Sequence, residues 1–162
     1  MSGNDNIENM SGKTRSKYNV DKNTDKRTYK GVVYDSQKEM EFFRDWVEPR
    51  MVAGEILKCE RQIRYELQTG FVHAGKKVLP IIYTADYVLS YADGKEQIID
   101  IKGCPDSVAL LKRKMFWYRY PEKDYIWLTY SQKDGGWVEY EVVKERRARD
   151  KKEKKKKKEN EE

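Results

Sequence analysis

Asp86, Asp100 and Lys102 are the residues of this chain best suited to chemistry. Thr84-Ala85-Asp86-Tyr87 and Asp100-Ile101-Lys102 both sit in runs that predict β-strands. Side chains two apart on a strand share a face, so Asp100 and Lys102 point the same way. If the two strands pair as a hairpin, Asp86 joins them. Two carboxylates beside one ammonium make a seat for a hard divalent cation with a positive group next to it. That combination is equipment for cutting a phosphodiester.

The turn between the strands decides whether such a site exists. A two-residue turn at Asp93-Gly94 would set Asp86 opposite Ile101, pointing away from Asp100 and Lys102. A three-residue loop, Ala92-Asp93-Gly94, sets Asp86 opposite Asp100 and gives Gly94 the left-handed position such loops use. A slip of one residue exchanges the two faces of a strand, so the chemistry requires the three-residue loop. Alone, Asp-x-Lys on a strand is a common solubility device of exposed edges. Here Ile98, Ile99 and Ile101 surround one carboxylate, and Ile81, Ile82, Tyr83, Val88 and Leu89 flank the other. Those neighbours predict a buried sheet centre, where charges need partners or a metal.

The elements that must position these residues are legible in order. Ser36-Gln37-Lys38-Glu39 fits a capping box, and Met40, Phe43 and Val47 follow at helical spacing, with Phe42 and Trp46 widening the face. Glu39 has two open roles, closing that cap or reaching the carboxylates, and Glu41 is the alternative for the second. Pro49 predicts an end or a kink. A strand follows over 56–67, in which Ile63, Tyr65 and Leu67 alternate with Gln62, Arg64 and Glu66. His73-Ala74-Gly75-Lys76 predicts a turn, 78–91 one long strand or two joined at a bend, and 96–102 the returning strand. A helix is expected over 106–119, with Val108, Leu111, Met115 and Tyr118 on its apolar side. Pro121 ends it, and strands over 125–130 and 137–143 flank a turn at Asp134-Gly135-Gly136. The sum is α, several antiparallel strands, α, then two strands, an α+β layer fold. Lys112, Arg113 and Lys114 on the second helix read either as a solvated face or as phosphate contacts beside the site. Trp117 and Tyr118 read as core.

Charge is unevenly spread along the chain. Residues 1–30 carry 7 Lys/Arg and 4 Asp/Glu, and residues 144–162 carry 11 and 6. The remaining 31–143 then holds 16 and 18, so the net charge of +6 resides in the two ends. The expected organisation is a disordered polar arm over 1–30, a folded domain over 31–143 and a charged tail over 144–162 with at most a solvated helix. An acidic centre with basic arms suits a cation-holding site and a polyanionic partner. With one histidine, and with Cys59 and Cys104 far apart, no four-ligand zinc site of the usual type can be built. No signal peptide or membrane-spanning run is evident, which sets a reducing, cytoplasmic location as the expectation.

The set Glu39, Asp86 and Asp100-Ile101-Lys102 on an α-β-β-β-α-β order resembles the PD-(D/E)XK nuclease superfamily. Within it, the chain is most similar to small phage-encoded, Holliday-junction-resolvase-like endonucleases. Ser36 to Glu39 matches their helical Ser-x-x-Glu, and Gln62 is similar to a position they use in the next strand. The resemblance covers roughly 32–130. Ala85 stands where the first half-motif has proline, and the stretch from Lys114 to Tyr118 lacks the glutamine of the RecB-like branch. The resemblance implies a restriction-endonuclease-like α+β core, with a central mixed sheet flanked by helices, and a metal-dependent DNA endonuclease. It implies that Asp86, Asp100 and the Ile101 carbonyl hold Mg²⁺ or Mn²⁺, with Glu39 completing the shell. Lys102 would orient the attacking water or stabilise the charge on the phosphorane, and Gln62 would orient water or a ligand. DNA is the implied partner, and a homodimer would let two nicks fall on opposite strands. The alternative is a nuclease fold without activity that binds DNA or assembles with other proteins. The intact Asp/Asp/Lys set favours the enzyme.

Overall fold

The computed structural model describes residues 23–159. The expectation for the 1–30 arm therefore lies outside the described residues up to position 22. Its last residues form a 3-10 turn (Asp25–Arg27) and β1 (Thr28–Tyr29), which pairs with β2 (Val32–Val33). Ser36 caps α1 (Gln37–Phe42), a π-helical turn (Phe43–Val47) follows, and α2 (Glu48–Val52) continues the run. Pro49 kinks this helix rather than ending it. Proline offers no N–H to the carbonyl four residues back, and the wider π turn just before it takes up the mismatch. The order is then β3 (Ile56–Gln68), β4 (Phe71–His73), β5 (Lys76–Val78), β6 (Ile81–Tyr91), β7 (Glu96–Ile101), α3 (Ser107–Arg119), β8 (Asp124–Ser131), β9 (Gly136–Glu139) and α4 (Tyr140–Glu159).

Five strands form one mixed sheet in the order β3-β6-β7-β8-β9. The β7–β8 pair is parallel, joined through α3, and the other pairs are antiparallel. The α1 side buries Phe42, Val47, Tyr87, Leu89 and Ile99, and Phe42 stacks on Trp46 and meets Tyr87 and Trp137 edge-on. The α3 side buries Tyr83, Ala85, Ile98, Phe116, Tyr125 and Trp127. This is the expected α+β core, and its central sheet is mixed. Among the described residues no helix is long and apolar enough to cross a membrane.

Two expectations change at the C-terminal end. The last strand stops at Glu139, and the residues expected to extend it begin α4 instead. Tyr140 and Val143 are one helical turn apart. Tyr140 meets Trp127 edge-on and Val143 is buried, so a helix seats both where a strand would split them between faces. Residues 144–159 of the charged segment supply the rest of α4, and Arg146 anchors it to Asp134 at 2.8 Å.

The apolar side expected for α3 is also rotated. Val108, Leu111 and Tyr118 are exposed, while Phe116 and Arg113 face inward. Arg113 is only 8% exposed and makes two bonds to Glu141 of α4, at 2.6 and 3.1 Å. Its guanidinium lies between the rings of Trp117 and Trp127, 4.4 and 4.2 Å from their centroids. A planar, weakly hydrated cation suits such a stack. Arg113 is thus a clasp joining α3, α4 and β8, not a phosphate contact. Arg113→Ala should lower stability by about 2–3 kcal/mol in urea unfolding, from the lost packing and the half-exposed Glu141 left without a partner.

Candidate active site

The β6–β7 hairpin has the register that the chemistry requires. Tyr87 pairs with Ile99 and Ser90 with Glu96, so Ala92-Asp93-Gly94 is a three-residue loop. Tyr91 N–H closes it on the Lys95 carbonyl at 2.8 Å, and Gly94 takes φ +86°. One step beyond the Tyr87–Ile99 pair, Asp86 faces Asp100. Asp86 Oδ2 accepts a bond from the Ile101 backbone N–H at 2.7 Å, so its carboxylate takes over where the ladder ends.

Strict alternation does not hold through this point. Cys59 on β3 and Tyr87, Leu89 and Tyr91 on β6 pack on the α1 side. Ile63 and Tyr65 on β3 and Tyr83 and Ala85 on β6 pack on the α3 side. All are odd-numbered, so both strands change face between 61 and 63 and between 85 and 87. The register partners there are Arg61–Tyr87 and Ile63–Ala85, which places Gln62 opposite Asp86. Gln62 takes φ +55°, a left-handed conformation rare for a side chain of its kind. A single left-handed residue rotates the strand by one face, and Asp86 lies at the pivot. Strained backbone is characteristic of functional sites. Gln62→Gly should stabilise the fold by about 1 kcal/mol in urea unfolding, because glycine adopts this conformation without Cβ strain.

The carboxylates are coupled. Asp100 is 2% exposed. Lys102 Nζ lies 2.7 Å from its Oδ2, yet that buried oxygen accepts no directional hydrogen bond. Burial pushes Asp86 well above the carboxylate range, as do the charges of Asp100 and Glu39 and a side-chain bond with Asp100. The Ile101 N–H opposes that rise. Two carboxyls that face each other out of water need a shared proton or a cation between them.

Glu39 joins the group from α1. Its N–H caps on Ser36 Oγ at 3.1 Å, and the Ser36 hydroxyl donates to Glu39 Oε1 at 2.8 Å. The side chain is buried while it bonds the cap residue. Burial first, then the charges of Asp35 and Asp100, push its carboxyl up to about 7, against the Ser36 bond and Arg61. Glu41 instead bonds Gln37 and Lys38 at the surface.

Glu39 and Asp86 line a cleft of about 810 Å³ rimmed by Lys26, Lys38, Lys102 and Arg147. Asp100 and Lys102 also line a smaller cleft of about 310 Å³ on the α3 side, with Lys112 and Trp127. Lys102 therefore borders both. Lys112 donates to the Ile82 carbonyl at 2.7 Å, and Lys114 is exposed. Trp127 and Arg147 escaped sequence reasoning. Trp127 pairs with Asp100 across the parallel β7–β8 ladder and has Lys102 5.8 Å from its ring centroid. Parallel pairing leaves no local turn to announce it. Arg147 belonged to a segment read as a remote tail.

The residues present fit an oxygen-preferring divalent ion. The donors are carboxylates and a backbone carbonyl, one buried carboxylate oxygen lacks a hydrogen bond, and the cluster carries more negative charge than one lysine offsets. Among the described residues no group of three or more His, Cys, Asp or Glu side chains stands close enough together to hold a metal ion by itself.

A family model matches residues 15–136 of the chain. The chain belongs to DUF1064, described as a protein of unknown function. The DUF1064 match includes Glu39, Gln62, Asp86, Asp100 and Lys102 and stops before α4. No curated protein matches the chain.

Proposed function

We propose that this DUF1064 protein is a metal-dependent DNA endonuclease of PD-(D/E)XK type. The observation that carries this reading is the register of β6 and β7, which sets Asp86 against Asp100 with Lys102 Nζ 2.7 Å from the second carboxylate. Structural ion pairs rarely bury two carboxylates against each other, because the arrangement costs free energy unless a proton or cation joins it.

Asp86, Asp100 and the Ile101 carbonyl would hold Mg²⁺ or Mn²⁺, with Glu39 behind them. The bound ion supplies a more acidic water and neutralises charge on the scissile phosphate. Lys102 would orient the attacking water or meet the charge developing on the phosphoryl oxygens. Glu39, with its carboxyl at about 7, can take up a proton near neutral pH. Gln62 faces Asp86 and would steady a water there. Lys26, Lys38 and Arg147 on the rim hold the backbone without reading sequence. Lys114 is a further phosphate contact at the surface. Branched DNA is the favoured substrate, by the resemblance stated above. The free thiols Cys59 and Cys104 suit a reducing cytoplasm.

The test is incubation with supercoiled, linear, single-stranded and four-way-junction DNA, with Mg²⁺, with Mn²⁺ and with EDTA. Metal-dependent nicks or breaks are expected. Binding to every substrate with no cutting under any metal would leave the inactive DNA-binding module as the better reading.

A further inference from the structure

We propose that the β4–β5 ribbon is a groove-reading finger that enters duplex DNA beside the cleft. β6 runs five residues beyond Asp86 after β7 has ended, paired there with β3 as far as Gln68–Ile81. At about 3.3 Å per residue this arm carries its tip roughly 17 Å from the carboxylates, within one turn of a duplex seated on them. The tip is a separate two-stranded sheet, with Phe71 opposite Val78, Val72 opposite Lys77 and His73 opposite Lys76. Ala74 and Gly75 both take positive φ, +48° and +74°, so a tight two-residue turn holds the ribbon in one shape.

The ribbon leaves apolar side chains exposed on both faces. Phe71 is 47% exposed on one and Val72 is 71% exposed on the other, and Leu79, just after β5, is 68% exposed. Solvent-exposed ribbons of two strands are poorly stable without something to cover them. Charge identifies the cover. From 67 to 85 the chain has Lys76, Lys77 and His73 and not one acidic residue, although the 31–143 body is net acidic. A basic tip on an acidic body is complementary to a polyanion. A two-stranded ribbon is one of the shapes the major groove admits, and thymine methyls receive apolar side chains there. A second copy of this chain would set lysines against lysines.

The inference rests on DNA as the ligand of the cleft, and its test reads binding rather than cutting. Affinity of the full chain for a fluorescent duplex is measured in EDTA across a salt series, with folding checked by circular dichroism. Lys76→Glu/Lys77→Glu should weaken binding at least about tenfold and reduce the salt slope by roughly two, one for each phosphate contact. Lys76→Arg/Lys77→Arg should retain affinity. Val72→Ser should weaken binding with the salt slope unchanged. Wild-type affinity in the Glu and Ser variants would overturn the ribbon while leaving the nuclease reading intact. Ribbon-dependent binding without metal-dependent cutting would sustain the ribbon and sink the nuclease. A dimer that dissociates only in the ribbon variants, with DNA affinity unchanged, would assign the ribbon to a second copy and overturn the proposal.

Discussion

Asp100→Asn should reduce metal-dependent cutting by about a thousandfold or more, while the protein still folds and binds DNA. The amide preserves shape and removes the charge on which cation binding depends. Asp100 is the most buried charged residue of the cluster, and its Oδ2 lies 2.7 Å from Lys102 Nζ. The substitution also relieves the repulsion that raises Asp86. That relief offsets the lost Lys102 pair, so the variant should stay folded in metal-free buffer, which separates loss of chemistry from loss of fold. Lys102→Met should cost cutting about 10²- to 10³-fold, the scale on which a single donor to a developing charge acts. Single-turnover rates on a nicked-plasmid assay report both. Wild-type rates in Asp100→Asn would end the assignment of this site.

The metal-free protein should lose stability as pH rises from about 5 to about 8. Glu39 has its carboxyl raised from 4.5 to about 7 in the fold, and Asp86 is raised as well. Between the unfolded and folded values the native state holds more protons than the unfolded chain, so stability falls with pH there. The contribution is complete below about 4.5 and is lost as pH passes through about 7. For Glu39 alone a shift of this size corresponds to about 3 kcal/mol, and Asp86 acts with the same sign. In a chain of this size that is roughly 6–12 °C in Tm. Millimolar Mg²⁺ or Mn²⁺ should restore most of the loss at pH 8, since an ion replaces the protons between the carboxylates. Glu39→Gln should flatten the metal-free profile. Tm against pH, with and without divalent ion, measures all of this, and a metal-free Tm that is level from pH 5 to 8 would show that the carboxylates are not coupled.

The sequence by itself determined what local geometry controls. A three-residue loop ending in Gly94 sets the β6–β7 register, and with it the meeting of Asp86 and Asp100, because a hairpin's pairing is dictated by the residues at its turn. Ser36 opens its helix for the same reason, since a cap is satisfied within one turn of chain. Tertiary structure decided the rest. Whether Glu39 closes the cap or reaches the cluster depended on what lay 47 and 61 residues away, at Asp86 and Asp100. Arg113 read as part of a solvated face or as a phosphate contact, and the fold instead sets it against Trp117, Trp127 and Glu141. Tyr140 and Val143 read as strand, and became helix because their burial against Trp127 and the core outweighs their β propensity. The face change at Gln62 and Asp86 has no composition signal, since only the two cores on opposite sides of the sheet demand it. Short-range pairings are written in the neighbours of each residue, while the burial that sets charge state and side-chain direction is a property of chain segments far apart in sequence.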